Sequence, residues 1–321
     1  MDGAPEKIVA LKFSPLSAEK GVKPCSRKIF CKNYRADVKR FGMFNLNYED
    51  INTPLGGVRP LLLMSWNVRR WTDTKKRGSF DKIVKLVRLQ KPDILFLQEA
   101  TFSKLIKFCG KTGMLLRASH KNFSPSEDGK KIVSYTTATL TKKTVGVGLS
   151  FSKTFADNSF RDTRGYVVSQ IHFGGRVLNL VNVHLDAFDL TEETRLNQVR
   201  EILDDEKLRS LPIVIAGDFN SISRKDYCDS HWSWLVENSL LDRDAGSSSY
   251  GSLPNKVSDL MKDEEFKDAG ATHAANAYTC WTGRRVDYIY HSEDVEASHY
   301  SVYFSEASDH FPIFALIGAS K

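Results

Sequence analysis

Short apolar runs alternate along the chain with stretches in which apolar residues recur every three or four positions. The longest apolar run, at residues 61–64, is far too short to cross a bilayer and has the length of a buried strand. The glycine pair at 174–175 separates two such runs and predicts a hairpin turn. We predict strands at residues 61–66, 94–97, 132–140, 145–151, 166–173, 177–184, 213–216, 278–281, 286–290, 298–304 and 311–316.

Three segments with helical spacing lie between these strands. The first begins after Ser79 as its predicted cap and ends before Pro92, and the second covers residues 101–109 and ends at Gly110. The third runs to about residue 203 and begins at a predicted capping pair, Asp189 and Glu192. Residues 244–258 are rich in Gly and Ser and predict a loop.

Strands that pair by hairpins, with helices inserted between some of them, predict an α/β sandwich. Two mixed β-sheets would pack face to face, with helices on the outer faces. Residues 1–59 carry many Lys and Arg and show little periodicity, so we predict an N-terminal extension that is partly ordered at best. Residues 60–321 would then form the folded domain.

Net charge and cysteine content narrow the class of binding partner and the cellular compartment. The net charge of +7 and the pI of about 9.0 favour polyanionic partners, either nucleic acid or an anionic membrane surface. Five scattered cysteines argue against a disulfide framework and fit a reducing compartment. The first fifteen residues lack the apolar segment of a signal peptide, so we expect a cytoplasmic or nuclear protein.

Polar side chains follow or precede several of the predicted strands. Any one of them has an ordinary explanation as a turn residue, a buried histidine or a cap, but together they predict one cleft at the strand ends. Their carboxylate and amide oxygens suit Mg²⁺ or Mn²⁺ better than Zn²⁺. They are Asn67, Gln98, Glu99, His184, Asp218, Asn220, Asp287, Asp309 and His310.

The motifs WN, QE, HL, GDFN, VDYI and SDH occur in this order along the chain. Together they resemble those of the endonuclease/exonuclease/phosphatase superfamily, over roughly residues 59–317. The resemblance implies a four-layered α/β sandwich. It also implies hydrolysis of a phosphoester with the help of Mg²⁺, or of Mn²⁺ as the alternative ion.

The same resemblance implies roles for the metal ligands and the catalytic histidine. Glu99 is similar to the principal metal ligand, with Asn67 and Asp309 beside the metal. His310 is similar to the catalytic imidazole, and Asp287 is similar to the acid that orients it.

Further roles concern the attacking water and the phosphate. Asp218 and Asn220 resemble the pair that positions or deprotonates the water and contacts the phosphate. His184 resembles a second histidine that hydrogen-bonds the phosphate. Arg164 is similar to a substrate-binding arginine of the deoxyribonuclease branch.

Basic charge and aromatic residues near the expected cleft favour a nucleic-acid substrate, because rings such as Trp66, Trp71, Phe219 and Trp281 could stack on bases. Core packing is the alternative for these rings, and it is the favoured one for Trp66. The spacing of Asp218 and Asn220 also predicts that the Phe219 ring between them points into the fold.

His184-Leu185 is similar to motifs of both the tyrosyl-DNA phosphodiesterase and the neutral sphingomyelinase branches. A sphingomyelinase-like or other phospholipid headgroup phosphoesterase, with peripheral membrane contact, is therefore the second hypothesis. A catalytically silent binding module with the same fold is the third, and a monomer is expected.

Overall fold

The computed structural model describes residues 59–125, 130–159, 162–189, 191–227, 256–271, 278–281 and 283–319. The predicted extension, apart from Arg59, and most of the predicted 244–258 loop lie outside these ranges, as do three of the five cysteines. The strands are β1 Leu61–Asn67, β2 Ile94–Ala100, β3 Leu115–Pro125, β4 Ile132–Thr141, β5 Val147–Thr154, β6 Gly165–Phe173, β7 Arg176–His184, β8 Ile213–Asp218, β9 Lys267–Asp268, β10 Asp287–His291, β11 Val295–Val302 and β12 Ile313–Ala319. The α-helices are α1 Phe80–Gln90, α2 Phe102–Thr112, α3 Glu193–Leu203, α4 Glu206–Arg209 and α5 Lys256–Asp263.

These strands form two six-stranded sheets. The first sheet has the order β11-β12-β1-β2-β4-β3, and the second has the order β5-β6-β7-β8-β10-β9. Each sheet is mixed, because β1 pairs with β2 and β7 pairs with β8 in parallel, whereas the other pairs are antiparallel. The two-sheet architecture predicted from the sequence is confirmed.

Side-chain alternation along the strands separates the core into three layers. Leu63 of β1 faces the second sheet, where it joins Phe96 and Val214 in the layer between the sheets. Its neighbours Leu62 and Met64 point the other way, into the layer under α1 and α2. A third layer lies between the second sheet and the helices α3 and α5. The result is the four-layered α/β sandwich, and no helix among the described residues is long and apolar enough to cross a membrane.

Two element predictions near the first sheet were wrong or incomplete. β3 was not predicted, because this edge strand mixes exposed and buried residues and has only weak alternation. α2 does not end at Gly110. It continues to Thr112 and ends at Gly113, whose φ of 73° provides the left-handed cap and whose N–H donates to the Cys109 carbonyl.

Differences near the C-terminal strands affect the site. Residues 278–281 form no strand, and only Cys280 pairs, as an isolated bridge with His310. β12 begins at Ile313, so Asp309 and His310 lie in the turn before the last strand rather than at its start. The predicted 244–258 loop is also too long, since α5 begins at Lys256. The other predicted strands are confirmed, with ends shifted by a few residues.

Both predicted helix caps need correction. Ser79 stands at the N-cap of α1 but makes no side-chain capping hydrogen bond. Asp189 does cap the start of α3, because its Oδ2 accepts from the backbone N–H of Thr194 at 2.7 Å. Glu192 is not its capping partner. Its carboxylate accepts instead from the Ser221 hydroxyl at 2.5 Å and from the backbone N–H of Lys256 at 3.1 Å.

Candidate active site

Strand register in the second sheet brings three of the predicted site residues side by side. His184 at the end of β7 is paired with Asp218 at the end of β8, and Asp218 is paired with Asp287 at the start of β10. All three side chains are almost fully buried. Residues far apart in the sequence therefore meet because β7 and β8 are parallel whereas β10 runs back beside them.

Two further residues come from the first sheet. Asn67 ends β1 in register with Gln98 of β2, and Glu99 follows directly. The pairing of β2 with β4 shifts between Leu97 and Ala100, and Glu99 within this bulge has a left-handed φ of 52°. A left-handed non-glycine residue costs about 1–2 kcal/mol, and bulges re-aim side chains beside active sites.

The amide of Asn67 joins the two sheets. Its Nδ2 donates to Oδ2 of Asp218 at 2.9 Å and to Oε1 of Glu99 at 3.2 Å. Gln98, which lies one residue before Glu99, makes a second link between the two sheets, because its amide donates to Oδ1 of Asn182 at 2.7 Å. Gln98 is thus part of the sheet-to-sheet interface. We call the space bordered by Asn67, Glu99, Asp218 and His310 the cleft.

The turn that carries Asp309 and His310 is anchored to β1. The Ser308 hydroxyl donates to the backbone carbonyl of Asn67 at 2.7 Å and accepts from the backbone N–H of His310 at 3.3 Å. The indole N–H of Trp66 donates to the His310 carbonyl at 3.0 Å. These bonds hold the SDH turn at the cleft although it is not part of a strand.

His310 lies between two carboxylates. Its Nδ1 is 2.9 Å from Oδ2 of Asp287, and its Nε2 is 3.8 Å from Oδ2 of Asp218. Burial alone would lower the pKa of His310, but the charges of Asp287 and Asp218 raise it well above its ordinary value. Burial raises the pKa of Asp218 to about 6, where the charge of His310 opposes the rise and that of Asp287 adds to it. At neutral pH the pair is therefore an imidazolium facing a carboxylate.

His184 has the opposite character. Burial lowers its pKa well below the ordinary value, and the charges of Arg164 and His310 lower it further. Its Nε2 lies 3.5 Å from Oδ2 of Asp218. The two histidines around Asp218 thus differ in charge at neutral pH, with His184 neutral and His310 protonated.

The backbone and side-chain geometry of the GDFN turn accounts for the spacing of its residues. Gly217 has a φ of 146°, and a Cβ at this position would stand 2.0 Å from the Val183 carbonyl oxygen. Phe219 is buried and packs edge-on against Tyr288 and Tyr290, as the spacing of two predicts. Asn220, with a left-handed φ of 47°, donates its backbone N–H to Asp218 and its side-chain amide to the Leu185 carbonyl.

The donor atoms around Glu99 fit a divalent cation. Burial raises the pKa of Glu99, and the like charge of Asp309 raises it further. Both carboxylates are partly exposed, with 25% and 34% of their side chains accessible. Two partly open carboxylates that repel each other, beside the Asn67 amide, are the hard-oxygen donors that Mg²⁺ and Mn²⁺ take.

A different group also brings potential ligand atoms together. Asp218, Asp287 and His310 each place one such atom within 4.8 Å of the others. Both ring nitrogens of His310, however, already face carboxylates, and its raised pKa favours the protonated imidazole, which offers no lone pair to a metal. This group therefore suits acid–base chemistry, whereas Glu99 and Asp309 suit a cation.

Arg164 is placed differently from the surface position that its residue type suggests. Only 3% of it is exposed, and its Nε forms an ion pair with Oδ2 of Asp162. Its guanidinium lies 5.5 Å from the ring of Tyr135, which in turn lies 5.5 Å from the ring of His184. Arg164 thus sits behind His184, where its charge helps keep that histidine neutral.

The aromatic residues expected to stack on bases are mostly buried. Trp66, Trp71 and Phe219 are at most 1% exposed, so the stacking hypothesis was wrong for Trp71, and the core packing expected for Trp66 and Phe219 is confirmed. Trp281 is half-buried and packs on Phe311, and its backbone N–H donates to the Asp309 carbonyl at 2.9 Å. It therefore supports the turn that carries Asp309.

Sequence reasoning missed two arginines at the cleft. Arg69 Nε is 3.1 Å from Oδ2 of Asp309, and Arg70 Nε is 3.9 Å from Oε2 of Glu99. Arg69, Arg70 and Trp71 have successive left-handed φ values of 42°, 54° and 64°. Each such residue costs about 1–2 kcal/mol, whereas partly exposed ion pairs contribute about 0–1 kcal/mol each. Their position two and three residues after the WN motif was the available signal.

A buried ion cluster supports the start of β10. Arg285 is 1% exposed and lies 2.7 Å from Asp268 and 2.9 Å from Asp226. Its guanidinium also lies 4.4 Å from the ring centre of Tyr288. Because Arg285 stands two residues before Asp287, this cluster fixes the backbone from which Asp287 reaches His310.

Comparison with known proteins agrees with this geometry. A model of the Endonuclease/Exonuclease/phosphatase family matches residues 64–310, which is more than half of the chain. A search of curated proteins finds no match.

Solved structures with the same fold include an endonuclease/exonuclease/phosphatase from Beutenbergia cavernae DSM 12333 (15% identity, TM-score 0.59, 81% of this chain and 72% of that chain). The human Nocturnin catalytic domain with a bound sulfate anion is similar at 16% identity and a TM-score of 0.56, over 81% of this chain and 94% of that chain. D. rerio TDP2 complexed with single strand DNA product is similar at 19% identity and a TM-score of 0.54, over 81% and 99% of the two chains. At these identities the likeness shows the fold.

Proposed function

The chain belongs to the endonuclease/exonuclease/phosphatase family of phosphoester hydrolases, and on that premise we propose that it is a magnesium-dependent phosphodiesterase that cleaves nucleic acid. The observation that carries the proposal is the convergence on one oxygen. Oδ2 of Asp218 lies 2.9 Å from the amide of Asn67, 3.5 Å from His184 and 3.8 Å from His310. This arrangement of groups suits a water molecule as the nucleophile.

Asp218 is proposed to position the water and take its proton. With a pKa of about 6, its carboxylate is ionised at neutral pH yet is more basic than an ordinary aspartate. The backbone N–H of Asn220 and the amide of Asn67 hold the two carboxylate oxygens in place. The water then attacks phosphorus in a single displacement, and no side chain forms a covalent bond to the substrate.

His310 and His184 are proposed to face the phosphate from two sides. The imidazolium of His310, oriented by Asp287 through Nδ1, donates from Nε2 to an oxygen on which negative charge develops. Neutral His184 contributes a hydrogen bond without adding charge next to Arg164. The side chain of Asn220 is fixed against Leu185 beside them and is the remaining phosphate contact.

Glu99 and Asp309 are proposed to hold Mg²⁺, with Mn²⁺ as a substitute. Asn67 is proposed to stand beside the ion and to fix Glu99, because its Nδ2 donates to Glu99 and its Oδ1 accepts from the backbone N–H of Arg69. The ion would neutralise charge on the phosphate oxygens and on the leaving group. The raised pKa of Glu99 beside Asp309 is the property of this chain that supports the assignment, because a cation between two such carboxylates relieves their repulsion.

Nucleic acid is preferred as substrate for two reasons. The chain carries a net charge of +7, and the D. rerio TDP2 structure with the same fold holds a single strand DNA product. Base stacking on Trp66, Trp71 and Phe219 no longer supports this choice, since these rings are buried. A cytoplasmic or nuclear protein would meet such a substrate.

The test is a competition among single-stranded DNA, RNA and sphingomyelin vesicles in the presence of Mg²⁺. We expect turnover of a nucleic acid that falls steeply with added salt. Turnover of sphingomyelin alone would favour the phospholipid hypothesis instead. Failure to cleave any of them, or even bis(p-nitrophenyl) phosphate, with Mg²⁺ bound would favour the silent binding module.

Two substitutions test the roles. Asp218→Asn and His310→Ala should each lower kcat by about a hundredfold to a thousandfold. The exposed residues Asp263 and His172 provide the matched controls Asp263→Asn and His172→Ala, which should leave kcat unchanged. Near-normal turnover in either site variant would contradict the assigned roles.

A further inference from the structure

Arg69 and Arg70 form a compact cationic pair at the edge of the cleft that the proposed reaction does not use. Their side chains are 19% and 34% exposed, so both are partly accessible to solvent. The left-handed turn of residues 69–71 turns them back towards Asp309 and Glu99. Strain of this kind persists where function or surrounding structure demands it, and two partly exposed ion pairs are too weak to account for it.

The Glu99 carboxylate lies between Arg70 and the groups that surround Asp218. Oε1 of Glu99 faces Asn67, whose amide reaches Asp218, whereas Oε2 of the same carboxylate faces Arg70. Arg69 pairs with Asp309, the other proposed metal-side carboxylate. A phosphate held by the arginine pair would therefore lie beside these carboxylates, next to the phosphate under attack.

Positive charge continues away from the cleft in the loop that follows. Residues 74–78 are exposed and include Lys75, Lys76 and Arg77. Asp73 shapes this loop by accepting from the backbone N–H groups of Lys75 and Arg77. Arg69 Nη1 donates to the backbone carbonyl of Asp73 at 3.4 Å, which ties the arginine pair to the basic loop.

We infer that Arg69 and Arg70 form a second phosphate subsite, which binds the phosphate next to the one that is cleaved. The ligand class is a phosphodiester strand or a nucleotide with two separated phosphates. Planar guanidiniums match phosphate oxygens in a bidentate manner, and their present partners are carboxylates of similar shape. A divalent cation held by Glu99 and Asp309 would take over the neutralisation of these acids and leave the guanidiniums to an anionic ligand.

This inference rests on the proposed function, since it deepens the choice of substrate. It requires that substrates with an adjacent phosphate bind better than those with one phosphate. It also requires that the preference depend on Arg69 and Arg70 rather than on the net charge of the protein.

The experiment compares the binding of thymidine 3′,5′-bisphosphate and thymidine 5′-monophosphate by calorimetry in Mg²⁺. We expect the bisphosphate to bind about tenfold to a hundredfold more tightly, the range for one added charged hydrogen-bonding group. Arg69→Gln and Arg70→Gln should each reduce that ratio to below about threefold. Arg88→Gln, an exposed arginine on α1, is the matched control and should keep the full ratio.

Thermal unfolding checks that each variant folds. Arg70→Gln leaves the hydrogen bonds of the 72–78 loop in place, so it keeps the test valid if Arg69→Gln does not fold. Equal affinity for the two nucleotides, a ratio that survives both substitutions, or an equal loss in Arg88→Gln would each overturn the subsite. A ratio that depends on both arginines without cleavage of any phosphodiester would keep the subsite and reject the proposed function.

Discussion

Replacing Asp287 by Asn tests the part of the site that the geometry defines best. The carboxylate oxygen lies 2.9 Å from Nδ1 of His310, and its charge is the first of those that raise the pKa of that imidazole. Asn preserves the size of the side chain and removes its charge. The change therefore acts on the protonation and orientation of His310 rather than on packing.

The expected loss follows from the bond removed. A hydrogen bond to a charged group contributes about 1.5–3 kcal/mol. With about 1.36 kcal/mol for each factor of ten in rate, kcat should fall about 10- to 150-fold. The loss should stay below the one expected for His310→Ala, because the imidazole itself remains.

The raised pKa of His310 also predicts how the loss of kcat in Asp287→Asn changes with pH. In the native protein His310 has a raised pKa and stays protonated through neutral pH. Without the charge of Asp287 its pKa falls, so the imidazolium is lost as the pH rises. The ratio of native to variant kcat should therefore be larger at pH 8 than at pH 6.5.

Steady-state hydrolysis of bis(p-nitrophenyl) phosphate at both pH values measures this ratio, with thermal unfolding as a check on folding. Histidine NMR of the metal-free protein should show His310 titrating at lower pH in the variant. A variant with more than half of the native kcat at pH 8, or with a ratio independent of pH, would refute the argument that Asp287 keeps His310 protonated.

Three further substitutions and one control test the site and the framework around it. Gly217→Ala should lower the free energy of unfolding by about 2 kcal/mol or more, since its Cβ would stand 2.0 Å from the Val183 carbonyl oxygen. Gly110→Ala in α2, where no atom lies within 4 Å of the added Cβ, should raise the free energy of unfolding by about 0.5–1 kcal/mol. Denaturant unfolding that shows the same sign for both substitutions would contradict this. Arg285→Met should cost about 3–5 kcal/mol in the same assay, because two carboxylates lose their buried partner, and a loss below about 1 kcal/mol would mean that the cluster is solvated. Glu99→Gln should weaken Mn²⁺ binding, measured by calorimetry, by about tenfold or more, and unchanged affinity would move the metal away from Glu99.

Most of the fold could be predicted from the sequence, because the buried strands of a two-sheet core are continuous apolar runs. Leu61 to Met64 and Ile213 to Ala216 are such runs, and both are core strands. β3 was missed because an edge strand has only one well-buried face, and its residues include Lys121 and Asn122. The predicted strand at 278–281 was wrong because its apolar side chains are buried by packing of a turn rather than by a ladder.

The site residues could be predicted from the sequence where a strand ends in a polar residue. Asn67, His184 and Asp218 are at the ends of β1, β7 and β8. Strand register pairs His184 with Asp218, and the amide of Asn67 reaches Asp218 from the other sheet. Arg69 and Arg70 were missed because three successive left-handed residues follow no sequence pattern of type or spacing. Burial of Trp71 was also not predictable, since an aromatic residue shortly after a strand gives the same sequence pattern whether it faces the core or the cleft.

The most direct test of the central claim is the initial rate of bis(p-nitrophenyl) phosphate hydrolysis, measured with Mg²⁺ and again after chelation, for the native protein, Asp218→Asn and Asp263→Asn. We expect Mg²⁺-dependent turnover that is lost by about a hundredfold or more in Asp218→Asn and retained in Asp263→Asn. Turnover that persists after chelation, or that is equal in the two variants, would contradict metal-assisted hydrolysis centred on Asp218.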